Sequence, residues 1–313
     1  MLIIDSHAHI FDRVKGVIGR GAVEPLPFGK LMFGDGTIKR FMPPLAEKTA
    51  FLPEMLLEEM DYIGVDKAVL LQGPLYGDMN NYVHEAVKRW PDRFVGAAYF
   101  DPWLKDSKST FNFLVEDMGF KIIKMELSED CGYAGLYPGM SLNDLHIKWM
   151  WEDIESRRLV VVLDLGPIGG KAYQTDAVKE ILENHPDLKM VITHLCYPPI
   201  KAQNDEQLHR LWREQVLLAR RPNVYLDLAS LPAHAKDEDY PYLSACKFIH
   251  KAVELVGADK LLWGSDIPGL LTVATYSQLL DYIRKHCEFL SQSDKAKILG
   301  ENALQVYNIL SYK

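Results

Sequence analysis

Short apolar runs alternate with longer amphipathic stretches along most of the chain. From residue 67 onward the runs fall at 67–72, 94–100, 120–127, 159–166, 189–195, 224–230 and 261–268. They are rich in β-branched residues, as strands covered on both faces should be. Between them, apolar positions recur at helical spacing. This predicts helices over 80–93, 109–119, 146–158, 175–187, 205–223, 247–260 and 276–286, with a last one through 301–310. Pro91, Gly119 and Pro186 punctuate helix ends, and Thr175-Asp176 opens one. Adding the apolar residues at positions 2–4 gives eight strands, each followed by helical sequence. Eight βα units close most simply into an α/β (β/α)8 barrel, here with an extra C-terminal helix. A doubly wound open sheet is the alternative. It would place a glycine-rich turn after the first strand, and "DSHAHIFD" is not one.

The first connection breaks the rhythm. Residues 11–52 are dense in glycine and proline, and so long a loop in a compact domain is usually functional. In a barrel it would lie at the C-terminal face and cap the mouth. The reading is therefore one domain over 1–313, with 11–52 as a cap over the active site.

Composition narrows the classes. A net charge of −8 with no basic run argues against nucleic acid as a partner. No apolar run reaches the roughly 18 residues of a membrane helix, and no basic segment followed by an apolar one suggests a signal peptide. Cys131, Cys196, Cys246 and Cys287 lie far apart without a CxxC pair, which reads as reduced thiols in a cytoplasmic protein.

Catalytic groups of a barrel sit at the C-terminal ends of its strands. Those ends carry His7 and His9, then Lys124 and Glu126, Asp164, His194, Asp227 and Asp266. Each follows an apolar run, where an unpaired polar group is costly. His7 and His9, at i and i+2, look into one space. Two imidazoles with a carboxylate and a third imidazole suit Zn²⁺ or a similar divalent ion, with Mn²⁺ the alternative if carboxylates dominate. Lys124 is a candidate for a substrate carboxylate, and His234, in the loop after the seventh strand, for a weaker substrate contact. Arg20, Arg40, Tyr133 and Tyr137 are more distant candidates for holding an anion, and Cys196 for a thiol nucleophile. Asp227 reads as one step too deep to take part. His84, His146, His209, His250 and His286 fall on or beside helices and read as solvated.

Taken together, "IDSHAH", "THL…P", "GSDIP" and the tail "LGENALQVYNIL" resemble the amidohydrolase superfamily. The likeness is to the amidohydrolase-related branch that includes amino-carboxymuconate-semialdehyde decarboxylase, γ-resorcylate decarboxylase and pyrone-dicarboxylate lactonase. The resemblance implies a barrel in which His7 and His9 ligate metal. It implies that Asp266 ligates metal and shuttles the proton of an attacking water. It implies that His194 polarises the substrate carbonyl or completes the metal site. One departure stands out. Metal-dependent members carry a histidine at the end of the fifth strand, where this chain has Asp164 in "VVVLDLGPIGG". The lactonase-like subgroup also lacks it, and some of its members work without metal. Glu126, in "KME" where relatives have "KLH", or Asp164 would then replace the imidazole.

The leading expectation is a metal-assisted hydrolase of a small lactone, ester or amide, with Asp266 as base and His194 at the oxyanion. Such a substrate would carry a carboxylate for Lys124. Non-oxidative decarboxylation of an unsaturated or aromatic acid is the second reading, and a catalytically inactive binding protein the third. A homodimer is the oligomeric state suggested by the family resemblance.

Overall fold

The computed structural model describes residues 1–202 and 204–309. Its main sheet follows the predicted runs. It contains β1 (Ile4–Ala8), β6 (Lys67–Leu70), β7 (Phe94–Ala98), β8 (Ile122–Glu126), β9 (Val160–Asp164), β10 (Lys189–Ile192), β11 (Val224–Asp227) and β12 (Leu261–Leu262). Their spatial order is their chain order, and all the pairings are parallel. The ring closes between β1 and the segment after β12. There Ser6 N donates to Trp263 O at 3.0 Å, Asp266 N to His7 O at 2.7 Å and His9 N to Ile267 O at 3.0 Å. This is the (β/α)8 barrel the periodicity predicts.

Two layers of apolar side chains hold it. One packs strands against the helical shell. The other fills the barrel: Ile4, Val69, Ala97, Ile122, Val160, Val162, Val191, Tyr225 and Leu262. Ala303, Val306 and Tyr307, on and just after the last helix (Asn302–Val306), belong to this inner cluster and pack against it. Of the helix expected through 301–310, position 310 lies outside the described residues. The period of two along a strand carries the same inward face from apolar floor to polar mouth. Ile122 is followed by Lys124 and Glu126, Val162 by Asp164, and Tyr225 by Asp227.

The strands are shorter than the apolar runs suggest. The last run, predicted over 261–268, keeps regular pairing only at Leu261–Leu262. Beyond it Ser265 turns to Asp5, donating to that carboxylate from its backbone N at 2.9 Å and its hydroxyl at 2.5 Å. Asp266 adopts φ 61°. Apolar runs do not distinguish ladder from the buried, irregular backbone that carries the functional side chains.

Segment 11–52 is more ordered than a loop. Val17–Ile18, Gly21–Leu26, Lys30–Phe33 and Ile38–Arg40 form β2 to β5, a four-stranded antiparallel sheet. Val23 pairs with Phe33 and Lys30 with Arg40, and Ile18, Val23, Leu31 and Phe33 are buried. Phe28 and Gly29, at φ 61° and 74°, make one of its turns. Phe11 and Phe51 exchange backbone hydrogen bonds of 2.8 Å and tie its two ends together.

Candidate active site

A cavity of about 260 Å³ opens at the C-terminal ends of the strands. His7, His9, Lys124, Glu126, Asp164, His194, His234 and Asp266 all line it. The fold thus brings these eight side chains, from five different strand ends and the segment after the seventh barrel strand, to one cavity. Phe41, just past β5 in the 11–52 segment, also lines it.

The two leading histidines are each fixed through Nδ1. His7 Nδ1 lies 2.8 Å from Asp227 Oδ2, and His9 Nδ1 lies 3.0 Å from Leu71 O. Their Nε2 atoms are left facing Asp266, whose Oδ1 is 3.9 Å from His7 Nε2 and 3.1 Å from His9 Nε2. Burial pulls the His7 imidazole below its ordinary pKa against the opposing Asp227 charge, favouring the neutral ring that ligates metal. Burial works against the Asp266 anion, but the His9 hydrogen bond and the His7, His9 and His194 rings outweigh it and hold its pKa well below the carboxylate range. The other Asp266 oxygen accepts the Ser230 hydroxyl.

Donor atoms of His7, His9 and Asp266 lie within 4.8 Å of one another. Tetrahedral zinc, with bonds of roughly 2.0–2.1 Å, sets its ligands about 3.3 Å apart, so this donor set fits a divalent ion. His7, His194 and Asp227 also converge within 4.8 Å. There, however, the carboxylate already takes hydrogen bonds from His7 and from the His194 backbone N, at 2.9 Å. It serves as support for the first group.

The opposite wall is a charged network. His194 Nε2 sits 2.9 Å from Asp164 Oδ2 and Nδ1 3.2 Å from Ala229 O. Both ring nitrogens therefore meet acceptors. Burial disfavours the imidazolium, but Asp164, then Asp227 and Asp266, overcome it and raise His194 to about 9. The same exchange keeps Asp164 ionised: burial opposes it, and His194 and Lys124 hold it well below the usual range. Desolvation and the neighbouring Asp164 charge push half-buried Glu126 up to about 8 despite Lys124. Lys124 Nζ lies 3.7 Å from Glu126 Oε2 and 3.8 Å from Asp164 Oδ2, with no hydrogen-bond partner among the described residues. Burial, with the His194 charge, lowers His234 to about 4 and leaves it neutral.

Sequence reasoning missed four contributors. Asp227, fully buried, is the support of His7 rather than a residue lying too deep to matter. The parity of Tyr225 and Asp227 carried that signal. Ser230 follows three residues later, at φ 60°. Tyr76 stacks on His9 with ring centroids 4.8 Å apart. Tyr197 donates its hydroxyl to Asp164 Oδ1 at 3.0 Å. It ends a run of left-handed residues that begins at His194, a conformation costing roughly 1–2 kcal/mol per L-residue. No motif announces Tyr76 or Tyr197.

The more distant candidates fall away from the cavity. Arg20 pairs with Asp35 at 2.9 Å and Arg40 donates to Phe28 O at 2.8 Å. Tyr133 and Tyr137 donate to Phe100 O and Asp101 Oδ2, at 2.5 and 2.6 Å. Cys196 is buried outside the lining, and burial pushes its thiol well up, which removes it as a nucleophile.

Comparison with known proteins agrees with this geometry. L-fucono-1,5-lactonase of Burkholderia ambifaria is 29% identical over 137 residues, 42% of this chain, and the match spans about half, 46%, of that protein's length. An amidohydrolase from Burkholderia multivorans, solved with bound HEPES, is 18% identical and superposes with a TM-score of 0.75 over 99% of this chain and 100% of its own. A second crystal form of it with bound zinc gives 0.73 at 15% identity, over 99% and 100%. A probable 2-pyrone-4,6-dicarboxylic acid hydrolase of Acinetobacter baumannii, solved with citric acid bound, gives 0.69 at 18% identity, over 98% and 100%. At such identities these structures speak for the fold. The amidohydrolase family model matches residues 4–309, from the first barrel strand to the end of the described chain. With the paired imidazoles and the facing aspartate at the barrel mouth, that match settles kinship: this chain belongs to the amidohydrolase family.

Proposed function

We propose that the chain hydrolyses a small lactone with water activated beside His7, His9 and Asp266. The observation that carries this is the pair of imidazoles, each anchored through Nδ1, with Nε2 turned onto one ionised carboxylate in the cavity at the barrel mouth. The lactonase relative supports the choice of a cyclic ester.

His7, His9 and Asp266 would hold the divalent ion, and two nitrogens with one oxygen favour Zn²⁺ over Mn²⁺. When bound, such an ion lowers the pKa of water from about 15.7 toward roughly 7 and polarises a carbonyl. Asp266 takes the proton of the attacking water and returns it to the leaving oxygen. Ser230, on its second oxygen, holds the carboxylate in place for both transfers. His194, cationic and bonded through both ring nitrogens, contributes a fixed positive charge beside the developing oxyanion. Lys124 offers unengaged N–H donors to a substrate carboxylate or hydroxyl. His234 adds a neutral ring on the same wall. Glu126 and Asp164 act here through Lys124 and His194 rather than as metal ligands. The partner is thus a small molecule and the expected setting the cytoplasm; sedimentation of the purified chain tests the expected homodimer. No described helix is long and apolar enough to cross a membrane.

The test is acid release from a panel of aldonolactones at neutral pH, with Asp266→Asn alongside. Loss of a general base is expected to cost about 10²–10⁴-fold in kcat with the fold intact. Turnover retained in that variant refutes the role of Asp266. Carbon dioxide released from hydroxybenzoic or unsaturated acids, with no lactone opened, would establish the decarboxylase reading. Turnover of nothing in either panel would leave a binding protein.

A further inference from the structure

Four successive non-glycine residues after β10, His194, Leu195, Cys196 and Tyr197, have φ of 56°, 47°, 57° and 52°. Such a run persists only where its surroundings hold it. Here Trp212 Nε1 donates to Leu195 O at 2.8 Å, the Tyr173 hydroxyl to Cys196 O at 2.9 Å, and Tyr197 N closes the turn onto His194 O at 2.9 Å. The turn brings residues 194 and 197 to the same side, and both reach Asp164.

Their arrival fills that carboxylate. Oδ1 accepts Gly166 N at 2.8 Å and the Tyr197 hydroxyl at 3.0 Å. Oδ2 accepts His194 Nε2 at 2.9 Å, with the Tyr197 hydroxyl 3.3 Å away. A carboxylate offers about four acceptor positions; Gly166 N, His194 and the Tyr197 hydroxyl shared between the two oxygens take three, and the Glu126 carboxyl hydrogen-bonds to it as well. Lys124, only 2% exposed, stays 3.8 Å from Oδ2 and 3.7 Å from Glu126 Oε2, too far to hydrogen-bond either. A buried ammonium beside a buried anion is expected to close onto it, because each is otherwise an under-satisfied charge.

We propose that Tyr197 is a positioning residue: by occupying Asp164 it keeps the Lys124 ammonium at ion-pair distance without a hydrogen bond, its donors left for the cavity, where they meet an oxygen of the substrate. Calling that occupant a substrate rests on the hydrolase reading above; the competition between Tyr197 and Lys124 for Asp164 does not.

Tyr197→Phe tests it. The ring that packs 5.0 Å from His194 and 5.2 Å from His234 remains, and one hydroxyl is lost. In a crystal structure of the variant, Lys124 Nζ is expected to close to about 2.7–3.2 Å from Asp164. A lysine that stays at its present 3.8 Å, without a hydrogen bond to Asp164, overturns the proposal. Kinetics supply the functional arm on any lactone the native chain opens. Tyr197→Phe is expected to raise KM about tenfold and to change kcat less. Because it acts through Lys124, the double variant with Lys124→Met should be no worse than Lys124→Met alone. Additive losses, or an effect confined to kcat, overturn the proposal. If no lactone is opened, the hydrolase reading fails, and the crystallographic arm still decides the role of Tyr197.

Discussion

Asp227 illustrates how much a single position can conceal. Its carboxylate accepts from the His194 backbone, from Ala229 N at 3.0 Å and from the His7 ring. It therefore sets which nitrogen His7 turns to the cavity. Removing such a support commonly costs 10–100-fold in metal affinity. Asp227→Asn should weaken zinc binding by about that factor, read by chelator competition, while His7 and His9 stay in place. Glu126 makes a different prediction. Its pKa is raised from 4.5 to about 8 by burial and by Asp164. Between those values the folded chain holds a proton that the unfolded chain has released, so stability falls as pH rises through this window. In melting of chelator-treated protein from pH 5 to 8, Glu126→Gln should fall less steeply with pH than the native chain, while His194, raised to about 9, and His234, lowered to about 4, add the same slopes to both. An equal slope in the variant would place the titration elsewhere.

At the scale of elements, the site is made where strands stop being strands. Gly264, in the irregular stretch after β12, passes so close to β1 that an added Cβ would lie 2.7 Å from His7 Cβ. Gly264→Ala is accordingly expected to displace His7. Less zinc per chain and a lower urea midpoint are the outcomes to look for. The left-handed turn after β10 depends in the same way on its clamps. Trp212→Phe leaves Leu195 O without its buried donor, and the expected loss is about 1–3 kcal/mol in urea unfolding. Such stretches were only half visible beforehand. His7, His9, His194 and Asp266 could be picked out because each ends an apolar run. Tyr76, Ser230 and Tyr197 could not, because their direction depends on loop backbone that no periodicity describes. Segment 11–52 hides its order for the opposite reason: its glycines and prolines suggest loop, yet most of them sit at the turns or within the strands of β2 to β5.

At the scale of the molecule, closure does the organising. Eight parallel strands with inward alternation make one face continuous from apolar floor to polar mouth, and the C-terminal residues Ala303, Val306 and Tyr307 pack into the inner cluster. Groups as distant in sequence as His7 and Asp266 then meet across the seam. The order of apolar and amphipathic segments by itself determined the barrel, and with it the rim on which the polar strand ends must gather, because burial of both strand faces leaves few other ways to arrange eight such units. Which atom faces which was decided only by tertiary structure. The Nδ1 anchors of His7 and His9, the pairing of His194 with Asp164 and the Lys124 ammonium held short of a hydrogen bond to Asp164 all arise from contacts between segments distant in the chain, and local pattern carries no record of such distances.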